Sequence, residues 1–233
     1  NNGTDSCGVC GGDNSSCVDC SGVPCSDAYM DNCGICDDDP SNDCGYECGS
    51  WGGDASLDEC GVCFGDGSYC DDTLLVPSEY PTIQSAIDAA SEGDTVLVAA
   101  GTYSPSTNSE VFPIEMASGI HLIGSGEDVS IIDAQQRDIV ITMEYCDNNT
   151  ISDLTLTGAL ADSYGGGMYL HTSDPILTNV TISNNTANWG GGMHLNVSNP
   201  ILNHVTISNN TAEIFGGGML LFFSNPILNN VTI

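Results

Sequence analysis

The chain has 233 residues, and 32 acidic side chains face a single basic one, Arg137, for a formal net charge of −31. That length allows one or two domains, while the charge excludes nucleic acid as a partner, because a strongly anionic surface repels phosphates. Cations are the natural counterpart, although acidity also serves simply to keep an extracellular protein soluble.

Residues 1–72 carry 16 acidic residues, no basic ones and few large aliphatics. No ordinary core can form there, so covalent crosslinks must replace it. The region repeats itself as "DSCGVCGGDNSSC" from Asp5, "DNCGICDDDPSNDC" from Asp31 and "DECGVCFGDGSYC" from Asp58. Cys7, Cys10 and Cys17 align with Cys33, Cys36 and Cys44 and with Cys60, Cys63 and Cys70; Cys20 and Cys48 add a fourth cysteine to two copies, and Cys25 is an extra. These twelve suit six disulfides of unreadable connectivity, leaving Cys146 single. The spacing C-x2-C-x6-C-x2-C of the first copy also suits a tetrahedral zinc. However, the spacing drifts in the second copy and the third has lost a ligand, which favours disulfides. Asp13, Asp39 and Asp66 each follow a C-G-x-C by three residues and precede Ser15, Ser41 and Ser68 by two. Such D-x-S loops either offer oxygen ligands for weak calcium binding or close Asx-turns on their own backbone.

These copies resemble the D-x-C-G-V-C-G-G-D-x-S-x-C stretch in the cysteine-rich part of thrombospondin-motif metalloproteases, and its tandem versions in large surface proteins of protists and marine bacteria. The resemblance implies an extracellular spacer. It transfers no catalytic residue, since the chain has no H-E-x-x-H.

In residues 73–110, Ile83, Ala86, Ile87 and Ala90 fall at i, i+3, i+4 and i+7, with Pro81 before them and Gly93 after. That pattern predicts a short amphipathic helix between strand-like "TLLV" and "TVLVAAGTY". The block resembles the strand-and-helix entry to a right-handed parallel β-helix of the pectate-lyase-like superfamily. Such an entry would cover the apolar interior of the first coil, which has no preceding neighbour.

Residues 111–233 are expected to be the solenoid itself. Pro175, Pro200 and Pro226 are 25 and 26 residues apart, and the triplets opening at Gly165, Gly190 and Gly216 keep the same step. A fixed period of this length means stacked units, each too small to bury its apolar face alone. About five turns are expected. The G-G-G-[IM]-x-L and N-V-T-I-S-x-N-x-A patterns resemble those of β-helical surface proteins. The resemblance covers residues 74–233 and implies the fold more than the function, since such folds serve enzymes, adhesins and structural proteins.

Alternation along the strands puts Met168, Leu170, Leu177, Val180 and Ile182 inside, with Met193, Leu195, Leu202, Val205 and Ile207 repeating them one coil on. Tyr169, His171, Asn179 and Thr181 should then point outward. Tyr164, Trp189 and Phe215 recur just before the glycines and should stack, as mutual packing or as a sugar-binding platform. His171, His194 and His204 form no common metal column and read as solvent-facing strand residues.

Eight N-x-S/T sequons, at Asn2, Asn14, Asn148, Asn179, Asn184, Asn196, Asn209 and Asn230, point to N-glycans and hence to a secreted or cell-surface protein. Asn179, Asn196 and Asn230 should stand outward; Asn184 and Asn209, in "SNNTA" turns, could instead point inward as an amide ladder. No apolar run is long enough to predict a membrane span. The sequence begins without methionine and stops at Ile233 inside a repeat, as a processed chain or a partial sequence would.

The composition of residues 139–233 argues against an enzyme, because it lacks basic residues other than histidine and its few carboxylates do not pair in any repeated column. Asp128, Asp133 and Asp138 in an earlier coil are the exception, and could pair as a glycosidase requires. The expectation is therefore a secreted, glycosylated structural protein that self-associates into an extracellular filament or surface coat. An adhesive solenoid end at Ile233 would favour that assembly. The alternatives are a carbohydrate-active β-helix enzyme whose site lies outside this segment, and a β-helical adhesin.

Overall fold

The computed structural model describes residues 72–233, preceded by one antiparallel pair of two-residue strands, Tyr29–Met30 with Cys36–Asp37. The chain divides into two units, Asn1–Cys70 and Asp71–Ile233. The expected pairing of the twelve cysteines from Cys7 to Cys70, calcium at Asp13, Asp39 and Asp66, and glycans at Asn2 and Asn14 all fall outside the described side chains.

The second unit is a parallel β-solenoid. Its longest ladder runs through Thr73–Val76, Thr95–Val98, His121–Gly124, Thr150–Thr157, Ile176–Ser183, Ile201–Asn203 and Ile227–Asn229. Six steps join these strands, making about six turns rather than the expected five. The additional turn comes from the two earliest strands, which belong to the same ladder as the repeats. A second ladder stacks Ile114–Glu115, Ile141–Glu144, Met168–His171, Met193–Asn196 and Met219–Phe222. A third stacks Leu160–Tyr164, Thr186–Trp189 and Thr211–Phe215.

Identical register makes like stack on like. One inward column reads Leu74, Val96, Leu122, Ile151, Leu177, Leu202 and Leu228; another reads Ile141, Met168, Met193 and Met219. All ten expected core residues from Met168 to Ile207 are at most 1% exposed. Each aliphatic side chain so buried is worth about 1.5–3 kcal/mol of transfer free energy, and each coil repeats that gain.

The strands are joined at corners where the backbone turns left-handed, and the sequence shows only one of these openly. Gly165, Gly190 and Gly216 form the first column of corners, with φ of 65°, 68° and 72°. A second runs Tyr145, Thr172, Val197 and Phe223, a third Asp153, Asn179, His204 and Asn230, and a fourth Gly158, Asn184 and Asn209, all at positive φ. The third column explains why Leu177 and Val180 are both inside although they lie three positions apart, an odd step that simple alternation would put on opposite faces. A left-handed residue at Asn179 resets the alternation between them, and asparagine tolerates that conformation better than other side chains.

Buried hydrogen-bond columns hold the corners. Asn185 is fully buried: its Oδ1 accepts from the Ala159 amide at 3.0 Å, while its Nδ2 donates to the Leu156 carbonyl at 3.1 Å and to Asn210 Oδ1 at 3.1 Å. Asn210 repeats the pattern with the Ile182 carbonyl at 2.8 Å. The expected amide ladder therefore exists one residue further along, at Asn185 and Asn210, while Asn184 and Asn209 are exposed. The correction has a simple cause. The left-handed corner turns the first asparagine of each "NN" pair outward and the second inward.

A serine column stands beside the second ladder. The Ser173, Ser198 and Ser224 hydroxyls accept from the amides of Cys146, Ser173 and Ser198 at 2.9, 3.1 and 2.9 Å, and donate to the carbonyls of His171, Asn196 and Phe222. Cys146, a free and buried thiol among the described residues, occupies the same column, with Sγ 3.2 Å from the Met116 carbonyl. Burial pushes this thiol above its ordinary pKa.

The change of period from 25 to 26 residues also has an address. The third ladder pairs Ala161 with Ala187 and Tyr164 with Trp189, then Ala187 with Ala212 and Trp189 with Phe215. The strand from Ala187 to Trp189 is thus one residue shorter than its neighbours, and an irregularity just before the aromatic position absorbs the difference. The helix, Ile83–Ala89, buries Ile83, Ala86 and Ile87, and Thr82 and Ser85 close a capping box at its start. Glu110 accepts from the Ile83 and Gln84 amides at 2.9 and 3.2 Å, giving two otherwise unpaired first-turn donors a partner.

Candidate functional site

The outward side of the second ladder carries the densest chemistry of the described residues. In register, Thr142, Tyr169, His194 and Leu220 form one outward column, and Glu144, His171, Asn196 and Phe222 the next. Just across the glycine corner stand Tyr164, Trp189 and Phe215. The expected aromatic column is present, but its rings are tilted: Tyr164 to Trp189 is 6.3 Å at 46°, and Trp189 to Phe215 is 5.4 Å at 47°.

The row continues beyond that column through residues the period alone does not mark. Tyr169 lies nearly parallel to Tyr164 at 5.9 Å and to His171 at 6.4 Å. Tyr145 meets His171 edge-on at 5.0 Å, and its hydroxyl is 3.1 Å from His171 Nε2. The row from Phe215 to Tyr145 is therefore continuous. Its sequence signal was the pairing of Tyr169 with His194 across one coil, which only the register exposes.

Within this row lies a cleft of about 320 Å³, lined by Tyr164, Tyr169, Trp189, His194, Asn196, Leu220 and Phe222 among others. No charged side chain lines it. His194 forms its floor and corrects an expectation: rather than facing solvent, it is 6% exposed, packed edge-on against Tyr164 at 4.8 Å and Tyr169 at 5.7 Å. The aromatic side chains at the preceding coil are large enough to cover it. Burial holds its imidazole below the ordinary pKa of 6.5, and the nearby Trp189 backbone partly opposes that shift. Its Nδ1 is buried without a partner. His171 is half-buried and His204 exposed, so the outward reading applies to those two.

The sequon asparagines take different surroundings. Asn148, Asn179, Asn184, Asn209 and Asn230 are exposed, and each sits at a left-handed corner. Asn179 Nδ2 donates to Asp153 Oδ1 at 3.0 Å, Asn184 Nδ2 to Ser183 Oγ at 3.2 Å, and Asn230 Nδ2 is 3.1 Å from His204 Nε2. Asn196 is half-buried on an extended strand and borders the cleft.

A smaller polar hollow holds the chain's lone cation, Arg137, with Asp138, Leu160, Asp162 and Ser163. Of Asp128, Asp133 and Asp138, the carboxylates considered above for a glycosidase, Asp133 and Asp138 each accept from a backbone amide in their own turn, Gln135 at 2.9 Å and Ile139 at 2.8 Å. Among the described residues, no three His, Cys, Asp or Glu side chains converge in a way that would hold a metal, and no helix is long and apolar enough to cross a membrane.

No curated protein and no solved structure matches the chain. A family model does match residues 76–231, and its description reads "Protein of unknown function (DUF1565)". The matched stretch runs from the end of the first strand to the last coil, and so contains the aromatic row.

Proposed function

The chain belongs to the DUF1565 family, and we propose that it is a secreted, glycosylated structural protein, a building block of an extracellular filament or cell-surface coat, rather than an enzyme. The observation that carries this reading is the unbroken register of the second ladder from Ile141 to Phe222, beside which buried asparagines and serines stack on their own kind. A catalytic centre is a local departure from such a pattern, whereas a rod gains from every repetition of it. The acidic cysteine-rich repeats and the eight sequons support an extracellular setting.

In this reading the solenoid winds right-handed, as parallel crossovers do, and the helix at Ile83–Ala89 with the strands around it closes the first coil. The cysteine-rich segment acts as a disulfide-stapled spacer, tightened by weakly bound calcium. Electron microscopy of the native material, with and without a calcium chelator, tests assembly: fibres or sheets support it, and discrete monodisperse particles in both conditions refute it. The aromatic row favours one second reading, a β-helical adhesin that grips neutral saccharide. Turnover of any member of a polysaccharide panel would overturn both.

A further inference from the structure

We propose that the aromatic cleft on the second ladder is the seat of the N-glycan attached to Asn196, whose innermost N-acetylhexosamine folds back over His194 and rests its C–H face on Trp189 and Tyr169. This rests on the glycosylated reading above and assigns the cleft one occupant. Three observations lead to it.

The first is position. Asn196 lies two residues along the strand from His194, so both point outward, one at the rim of the cleft and the other in its floor. Its column neighbours are His171 below and Phe222 above. The amides of Asn179, Asn184 and Asn230 are engaged with Asp153, Ser183 and His204 at other corners, away from the aromatic row.

The second is chemistry. A pyranose presents an apolar C–H face that packs on aromatic rings, and polar groups at its edge. The cleft offers Trp189, Tyr164 and Tyr169 for the face. The tyrosine hydroxyls of its wall leave hydrogen-bonding capacity that a sugar hydroxyl or acetamide suits, over a floor closed by the buried His194. The uncharged lining fits a neutral sugar, and about 320 Å³ is at the small end of ligand clefts. That volume suits one or two rings rather than a long chain.

The third is order of events. The sequon's hydroxyl belongs to Ser198, which is fully buried and already accepts from the Ser173 amide while donating to the Asn196 carbonyl. Attachment must therefore precede packing of this coil. In that step Asn196 Nδ2 bonds to C1 of an activated glycosyl diphosphate donor, loses one proton and displaces the diphosphate. The sugar is then present as the coil closes, and can become part of its surface packing.

The test uses the full chain from a glycosylating host, with Trp51→Phe so that Trp189 is the sole tryptophan. Peptide mapping reads occupancy at each sequon, and acrylamide quenching reads shielding of Trp189. Asn196 should be occupied. Asn196→Gln should raise the quenching constant at least twofold, with an unchanged far-UV spectrum, while Asn179→Gln should leave it unchanged. The proposal is overturned if quenching ignores the Asn196 glycan, or if Asn196 is bare while Asn179 and Asn230 are occupied. It is likewise overturned if shielding in Asn196→Gln persists and follows protein concentration, which marks a second copy, or appears only with added free chitobiose, which marks an exogenous sugar. Bare asparagines at every sequon would remove the glycosylated reading itself, and this proposal with it.

Discussion

Replacing Asn185 by alanine tests the coil geometry most sharply, because its neighbour Asn184 has the same side chain and the opposite environment. The substitution leaves the Ala159 amide and the Leu156 carbonyl without their partners in the core. Each buried orphan costs about 1–3 kcal/mol, so the expected loss is about 2–6 kcal/mol on the same basis. With a urea slope of about 2 kcal/mol/M, the midpoint should fall by about 1–3 M. Asn184→Ala removes an exposed side chain from a left-handed corner at φ 56°, at a cost of about 1–2 kcal/mol, and Asn184→Gly should cost almost nothing. Urea titrations of the three variants by far-UV circular dichroism provide the ranking. If Asn184→Ala is as damaging as Asn185→Ala, the inward ladder is wrongly placed and the corner geometry fails with it.

Gly191→Ala should prevent the coils from closing, since its Cβ would collide with the Thr211 and Gly217 carbonyl oxygens; a soluble variant with an unchanged thermal midpoint would contradict the close approach. Cys146→Ser should retain the fold to within about 1 kcal/mol, the range of a near-isosteric core exchange, because serine already fills the next three coils at that position. The wild-type thiol, buried and with a raised pKa, should react with iodoacetamide only on unfolding; rapid labelling of the native chain would refute its burial. His194 is more easily protonated unfolded than folded, so stability should decline as pH falls below the unfolded value of 6.5 and level off once the folded imidazole also titrates. His194→Phe should remove that part of the pH dependence, and an unchanged pH profile would argue against a buried imidazole.

What the sequence disclosed follows from where chemistry leaves a periodic trace. Inward aliphatics must be large in every coil, so Met193, Leu195, Leu202, Val205 and Ile207 could be named from spacing alone. Corners were harder to read. Three different residue types serve the column of Asp153, Asn179, His204 and Asn230, because the requirement is a backbone angle that several side chains tolerate. The same column shows why N-V-T recurs: a left-handed asparagine, an inward valine and an outward threonine meet the geometry and also spell a sequon. His194 departs from the outward expectation because burial on an outward face depends on what the adjacent coil carries, and the cover comes from Tyr164 and Tyr169. The serine column was invisible for a related reason, since its first member is a cysteine and serine elsewhere in the chain is common.

The one-residue irregularity before Trp189 bears on how such a rod could have lengthened. Copies of 25 and 26 residues share every column except for the slack at that point, so a tandem duplication of either length would enter the stack in register. Unequal recombination between neighbouring copies would then add or remove whole coils without disturbing those on either side. Length would be the most freely inherited property of the molecule, and members of the family should differ in coil number more readily than in the composition of a coil.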